Sequence, residues 1–185
     1  MEEVGPSSVL DVGIGMGQYG VLARHNLESL NLFDVSNWEG RQRSRQEWTV
    51  RIDGIEGYAT YLTPVHEYAY DEIRIGDALH ILPTIGADTY ELVIAIDILE
   101  HFEAQDGLRF LEQLRRVSSK YVLVSTPKVV HRQTVFANPY ENHRSKWSRD
   151  QLSDAGYDRI LENTKSWIVV HEAAQCTRQD PEFAV

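Results

Sequence analysis

The feature that most constrains this chain is Val9-Leu10-Asp11-Val12-Gly13-Ile14-Gly15-Met16-Gly17, an apolar run closing on three glycines spaced two apart. The first residues read as a buried strand, and the glycines as a turn into a helix over 17–31. Glycine admits positive φ and lets another group approach the backbone with no Cβ in the way. A helix that starts just beyond presents unpaired N–H groups and a positive dipole end, which suits an anionic group. The spacing departs from the G-x-G-x-x-G of nicotinamide and flavin sites, because Gln18 stands where the third glycine would be. The bland alternative is a glycine turn that only packs strand on helix.

Further strands are predicted at 50–55, 73–75, 92–96 and 121–124, several of them apolar on consecutive positions. A parallel sheet covered on both faces requires that pattern. Between the last two, Leu108, Leu111, Leu114 and Val117 recur every third residue, as on a helix lying against a sheet. Strand and helix alternate, so the fold class is α/β, doubly wound. The segments 157–163 and 167–170 flank Thr164-Lys165-Ser166 and predict an antiparallel hairpin at a sheet edge. The 34–49 stretch, with Trp38, Trp48, Arg41, Arg43 and Arg45, reads as an insertion. It is either a lid for an anionic or sugar-like ligand or a solvated loop whose aromatics pack on the body.

One domain over 1–185 is expected at this length, with a frayed polar tail at 173–185. The net charge of −10 disfavours a broad phosphate-backbone footprint, so nucleic acid is not the expected partner. Cys176 is the sole cysteine, which excludes a disulfide framework or multi-thiolate zinc site and suits a reducing, cytoplasmic setting. No apolar run approaches the ~20 residues of a membrane span, and no signal peptide is visible. His25, His66, His80, His131 and His171 form no trusted metal-ligand spacing, so no metal is expected.

In family order, four blocks resemble the class I S-adenosylmethionine-dependent methyltransferases, from Val9 to about Val170. Asp11 with Gly13, Gly15 and Gly17 resembles the motif that holds the methionine end of the cofactor. Glu56, ending Val50-Arg51-Ile52-Asp53-Gly54-Ile55-Glu56, resembles the acid that accepts both ribose hydroxyls. Gly76-Asp77-Ala78 resembles the segment facing the adenine amino group. The run from Leu92 through Asp97 and Glu100 to His101 and Phe102 resembles the fourth-strand motif bordering the transfer site.

The resemblance implies a Rossmann-like, mostly parallel seven-stranded sheet with an antiparallel edge hairpin. It also implies S-adenosylmethionine as cofactor, with S-adenosylhomocysteine as product, and Asp97 and His101 beside the cofactor. Glu56 follows Gly15 by 41 residues instead of about 20, and the 34–49 insertion accounts for the excess. A small subgroup of undefined substrate is similar in this long link and in its Thr63-Pro64-Val65-His66 stretch. Asp53 is a rival ribose partner, but its place inside the strand favours a structural role.

Methyl transfer needs acceptor and sulfonium held in line and sometimes a proton removed. His143, in Asn138-Pro139-Tyr140-Glu141-Asn142-His143-Arg144-Ser145-Lys146-Trp147, is a candidate base, since imidazole titrates near neutral pH. Equally, His143 and Trp147 brace their loop. Asp97 is the other catalytic candidate, and His101 reads as pocket wall. The expected acceptor is an oxygen or nitrogen of a small molecule, a secondary metabolite or saccharide. The rivals are a non-catalytic cofactor-binding protein, a nucleotide-dependent oxidoreductase and methylation of a macromolecule. Roofing of the cofactor is expected to fall to the insertion or to a second copy in a homodimer.

Overall fold

The computed structural model describes residues 4–28, 33–34, 41–42, 44–131 and 133–174, with the backbone alone at 33–34 and 41–42. Its strands are β1 (Ser8–Val12), β2 (Phe33–Asp34), β3 (Arg41–Gln42), β4 (Arg51–Glu56), β5 (Glu72–Ile75), β6 (Tyr90–Ile96), β7 (Ser118–Pro127), β8 (Arg159–Leu161) and β9 (Ser166–Glu172). The helices are α1 (Gln18–Leu27), α2 (Pro64–Ala69), α3 (Ala78–Ile81), α4 (Ala104–Val117) and α5 (Arg149–Asp154). Seven strands form one sheet in the order β5-β4-β1-β6-β7-β9-β8, and β2 and β3 pair separately. The first five are parallel; β9 runs antiparallel to both β7 and β8.

Both faces of the sheet are covered, which is why its strands are apolar at successive positions. Val9, Ile52, Leu92 and Ile94 pack on one side with Ala23 of α1 and Ala69 of α2. Leu10, Val12, Val93 and Ala95 pack on the other with Phe110, Leu111, Leu114 and Val117 of α4. The three-residue stripe predicted on α4 is corrected at one end: Leu108 is 49% exposed, whereas Gly107 and Phe110 are buried. At 3.6 residues per turn, each step of three falls back about 60°, so Leu108 has rotated about 180° from Val117. Gly107 fills that place because a Cβ there would meet Trp147 Cζ2 at 2.4 Å.

Chain order reverses between β1 and β6: β4 and β5 lie to one side, β7 to the other. Ligands of such sheets bind in the crevice outside the carboxyl ends of the strands at that switch point. Within the insertion, Trp48 lies under the Arg24 guanidinium at 4.6 Å and edge-on to Tyr68 at 5.3 Å, so this part packs on the body. Trp38, Arg43, the Arg41 side chain and the tail from 175 on, with Cys176, lie outside the described residues. Among the described residues no helix is long and apolar enough to cross a membrane.

Candidate active site

A cavity of about 480 Å³ opens at the switch point. Its walls come from the turn after β1, the ends of β4 and β6, the start of α3 and the loop before α5. Of the residues predicted from sequence, Gly13, Gly15, Glu56, Gly76, Asp77, Ala78, Asp97 and His101 line it. Asp11, Gly17 and His143 lie outside the lining.

The three glycines divide the work. All have positive φ, at +80°, +49° and +81°. A Cβ on Gly13 would meet Ile98 Cδ1 at 2.7 Å, and one on Gly17 would meet the His66 ring at 3.2 Å. These two serve packing, and Gly17 forms the N-cap of α1. At Gly15 a Cβ would meet nothing within 4 Å. Gly15 therefore leaves open, on the cavity wall, the space that a side chain would fill.

Gly15 is gripped at both ends of its backbone. Its N–H donates to Glu56 Oε2 at 2.9 Å, and its carbonyl accepts from His66 Nε2 at 2.9 Å. The Thr63 backbone N–H donates to His66 Nδ1 at 3.0 Å, so the proton of this buried ring sits on Nε2 and points at Gly15. Sequence reasoning quoted Thr63-Pro64-Val65-His66 without giving it a role. The signal was a capping box with proline at the first helical position and histidine where glutamate or glutamine is usual.

Glu56 accepts a second bond, from Tyr58 N–H to Oε1 at 2.8 Å, and each oxygen keeps lone-pair capacity toward the cavity. Burial raises its pKa, and the two backbone donors partly offset the rise. Asp77 caps α3 by accepting from Leu79 N–H at 2.8 Å. Asp97 adopts φ +51°, a conformation tolerated by aspartate, and accepts from the Ser125 hydroxyl at 3.2 Å. Asp53 is buried against the Tyr90 hydroxyl and Arg51, away from the cavity, as its strand position predicts.

Asp11 stands behind the glycine turn. It is 1% exposed and accepts from the Tyr70 hydroxyl at 2.6 Å. Burial pushes its pKa up to about 7; the Tyr70 bond opposes this and the Glu56 charge adds to it. Unfolded aspartate titrates near 3.9. The native state therefore binds an extra proton between about pH 4 and 7, and the stability it contributes is full below about pH 4 and lost as pH rises through about 7. Asp11→Asn keeps an oxygen for Tyr70 and removes that dependence. We expect its melting temperature to gain on the native protein between pH 5 and pH 8. Thermal unfolding of both proteins at both values checks this, and a constant gap would mean that Asp11 stays ionised throughout.

On the opposite wall, Tyr61 donates to Glu141 Oε1 at 2.8 Å and accepts from Asn138 Nδ2 at 3.1 Å. Tyr140, Glu141 and Arg144 of the same loop also line the cavity. The loop is pinned by Arg144 and Ser145 N–H groups on the Glu100 carbonyl, at 2.8 and 3.1 Å. Buried Trp147 anchors it by donating to the Ser145 hydroxyl at 2.9 Å, so Trp147 is a brace. His143 sits beside His101 with ring centroids 5.1 Å apart, its Nδ1 2.6 Å from the His131 carbonyl. The histidine reaching the cavity is thus His101, whose pKa burial lowers. The expectation of no metal ligands meets one group among the described residues: Glu100, His101 and His143.

No family model and no curated protein matches the chain. Solved structures do. A SAM-dependent methyltransferase from Aquifex aeolicus superposes with TM-score 0.58 and 19% identity, covering 91% of this chain and 82% of the other. One from Archaeoglobus fulgidus gives 0.58 and 10%, covering 90% and 86%. Magnesium protoporphyrin IX methyltransferase from Synechocystis PCC 6803, with bound SAH, gives 0.56 and 14%, covering 90% and 74%. At these identities what is shared is the architecture: the chain has the Rossmann-like fold of the S-adenosylmethionine-dependent methyltransferases.

Proposed function

We propose that this chain forms one catalytic domain that binds S-adenosylmethionine at the switch point. It transfers the methyl group to an oxygen or nitrogen of a small-molecule acceptor, a secondary metabolite or saccharide. The observation that carries the reading is the pairing of Gly15, open where a side chain would project, with the fixed carboxylate of Glu56 on the same wall. Glu56 would accept the ribose hydroxyls, Asp77 and Ala78 would border the adenine, and the turn at Gly13 and Gly15 would receive the methionine end. When bound, the cofactor supplies an electrophilic methyl on a sulfonium.

Asp97, at the end of β6, is the residue proposed to position the acceptor and take its proton. His143 supports this end indirectly, through the loop that carries Tyr140, Glu141 and Arg144. The mixed hydroxyl and charged wall suits an acceptor rich in hydroxyls. A cavity of about 480 Å³ falls within the roughly 300–1,000 Å³ of small-ligand sites.

Calorimetric titration with S-adenosylmethionine and S-adenosylhomocysteine tests the reading. Micromolar-range binding is expected for the native chain. Gly15→Val should abolish it, because a branched side chain would stand in the open space and would also be strained at φ +49°. Absence of binding to either ligand by the folded native protein would overturn the reading.

A further inference from the structure

We propose that Glu100, His101 and His143 form a site for a divalent transition-metal cation of the kind that favours imidazole nitrogen, with zinc as the reference ion. The site would staple the loop before α5 to the turn after β6.

One ligand atom from each residue lies within 4.8 Å of the other two. Tetrahedral bonds of about 2.1 Å need ligand atoms about 3.4 Å apart, so the three would close by up to about 1.4 Å on binding. The set of two imidazoles and one carboxylate is a recognised one for such cations and leaves coordination positions open.

The hydrogen bonds around the imidazoles supply an independent observation. His101 Nδ1 lies 3.3 Å from the Asn142 carbonyl, and His143 Nδ1 lies 2.6 Å from the His131 carbonyl. A carbonyl oxygen only accepts, so in His143 Nδ1 carries the proton and Nε2 keeps a lone pair; His101 faces the Asp97 carbonyl as well as that of Asn142. Metal-binding histidines are held in this way, donating the second ring N–H to a carbonyl or carboxylate.

Glu100 adds the charge. It is 2% exposed, and the Thr126 hydroxyl donates to its Oε2 at 3.1 Å. None of the described ion pairs gives it a lysine or arginine. Buried carboxylates are otherwise paired, metal-bound or neutralised. A cation there would pair with a carboxylate that is otherwise buried beside a single hydroxyl donor.

The ligands come from two segments already joined by Arg144 and Ser145 N–H groups on the Glu100 carbonyl. His101 lines the cavity, as do Tyr140, Glu141 and Arg144 on the stapled loop. Metal occupancy would therefore stiffen that wall. Its test does not depend on the proposed methyl transfer, since no cofactor is added, although His101 also lines the cavity.

The test uses the full chain without a histidine tag, stripped of metal and titrated calorimetrically with Zn²⁺ and with Co²⁺. Thermal unfolding is followed with and without each ion. One equivalent is expected to bind and raise the melting temperature. His143→Ala and Glu100→Gln should each weaken binding at least 10-fold and remove the thermal shift, while Cys176→Ser leaves both intact. Circular dichroism of the metal-free variants establishes folding. Should Glu100→Gln not fold, the half-buried His143 on its loop carries the test alone. No saturable binding, binding unchanged in the folded variants, or binding lost in Cys176→Ser would each overturn the proposal.

Discussion

Glu56→Ala is expected to weaken S-adenosylmethionine binding by at least 100-fold while leaving the chain folded. The carboxylate has one oxygen on Gly15 N–H and the other on Tyr58 N–H, so its orientation is fixed before any ligand arrives. A hydrogen bond to a charged group contributes roughly 1.5–3 kcal/mol. Losing two to the ribose therefore costs about 3 kcal/mol or more, a factor above 100 in Kd. The fold should survive because Glu56 is expensive to keep ionised where it stands: burial raises its pKa, and alanine lifts that penalty. Glu56→Gln, which keeps one oxygen, should fall between the two. Calorimetry with circular dichroism as control decides the matter. Native-like affinity in Glu56→Ala would remove the ribose contact from the proposed site.

Arg24→Met should lower stability by about 3–5 kcal/mol, the usual result of removing one partner from a buried charge network. Arg24 is 2% exposed. It donates to the Ala69 carbonyl at 3.2 Å, the Val50 carbonyl at 2.6 Å, Glu28 at 3.4 Å and Asp71 at 2.8 Å. One side chain thus joins α1 to the end of α2 and the entries to β4 and β5. Methionine retains much of the apolar stem and removes these four bonds, leaving Glu28 with the Thr49 and Val50 N–H groups and Asp71 with Ile52 N–H and Arg45. At about 2–4 °C per kcal/mol for a chain of this size, the melting temperature should fall by roughly 6–20 °C. A fall of under 2 °C would show that the network contributes little.

Arg24 also marks where sequence reading stopped. Tyr19, Val21, Leu22 and Leu27 made the 17–31 helix legible, yet Leu22 is 43% exposed while Gly20, Ala23 and Arg24 are buried. Local periodicity cannot anticipate a charge partner 47 residues away. The strands were legible because burial on both faces writes itself into consecutive apolar positions. The edge hairpin was legible from the spacing of two segments about Thr164-Lys165-Ser166. Most of the named residues that line the cavity were legible because a fixed backbone path needs glycine or a carboxylate at fixed places. The other wall was read less well. His143 is adjacent in sequence to the cavity-lining Arg144, but its ring turns to the His131 carbonyl and the space beside the cavity goes to His101. Loop orientation of that kind is decided by tertiary hydrogen bonds such as Arg144 N–H to the Glu100 carbonyl, which leave no pattern in the chain.

The double grip on Gly15, by Glu56 at its N–H and His66 at its carbonyl, bears on kinetics. Because folding has already immobilised this turn, an arriving ligand pays no entropy to organise it. Encounter should then vary little among ligands that share the same end groups. Their differences in affinity should reside in how long each one stays.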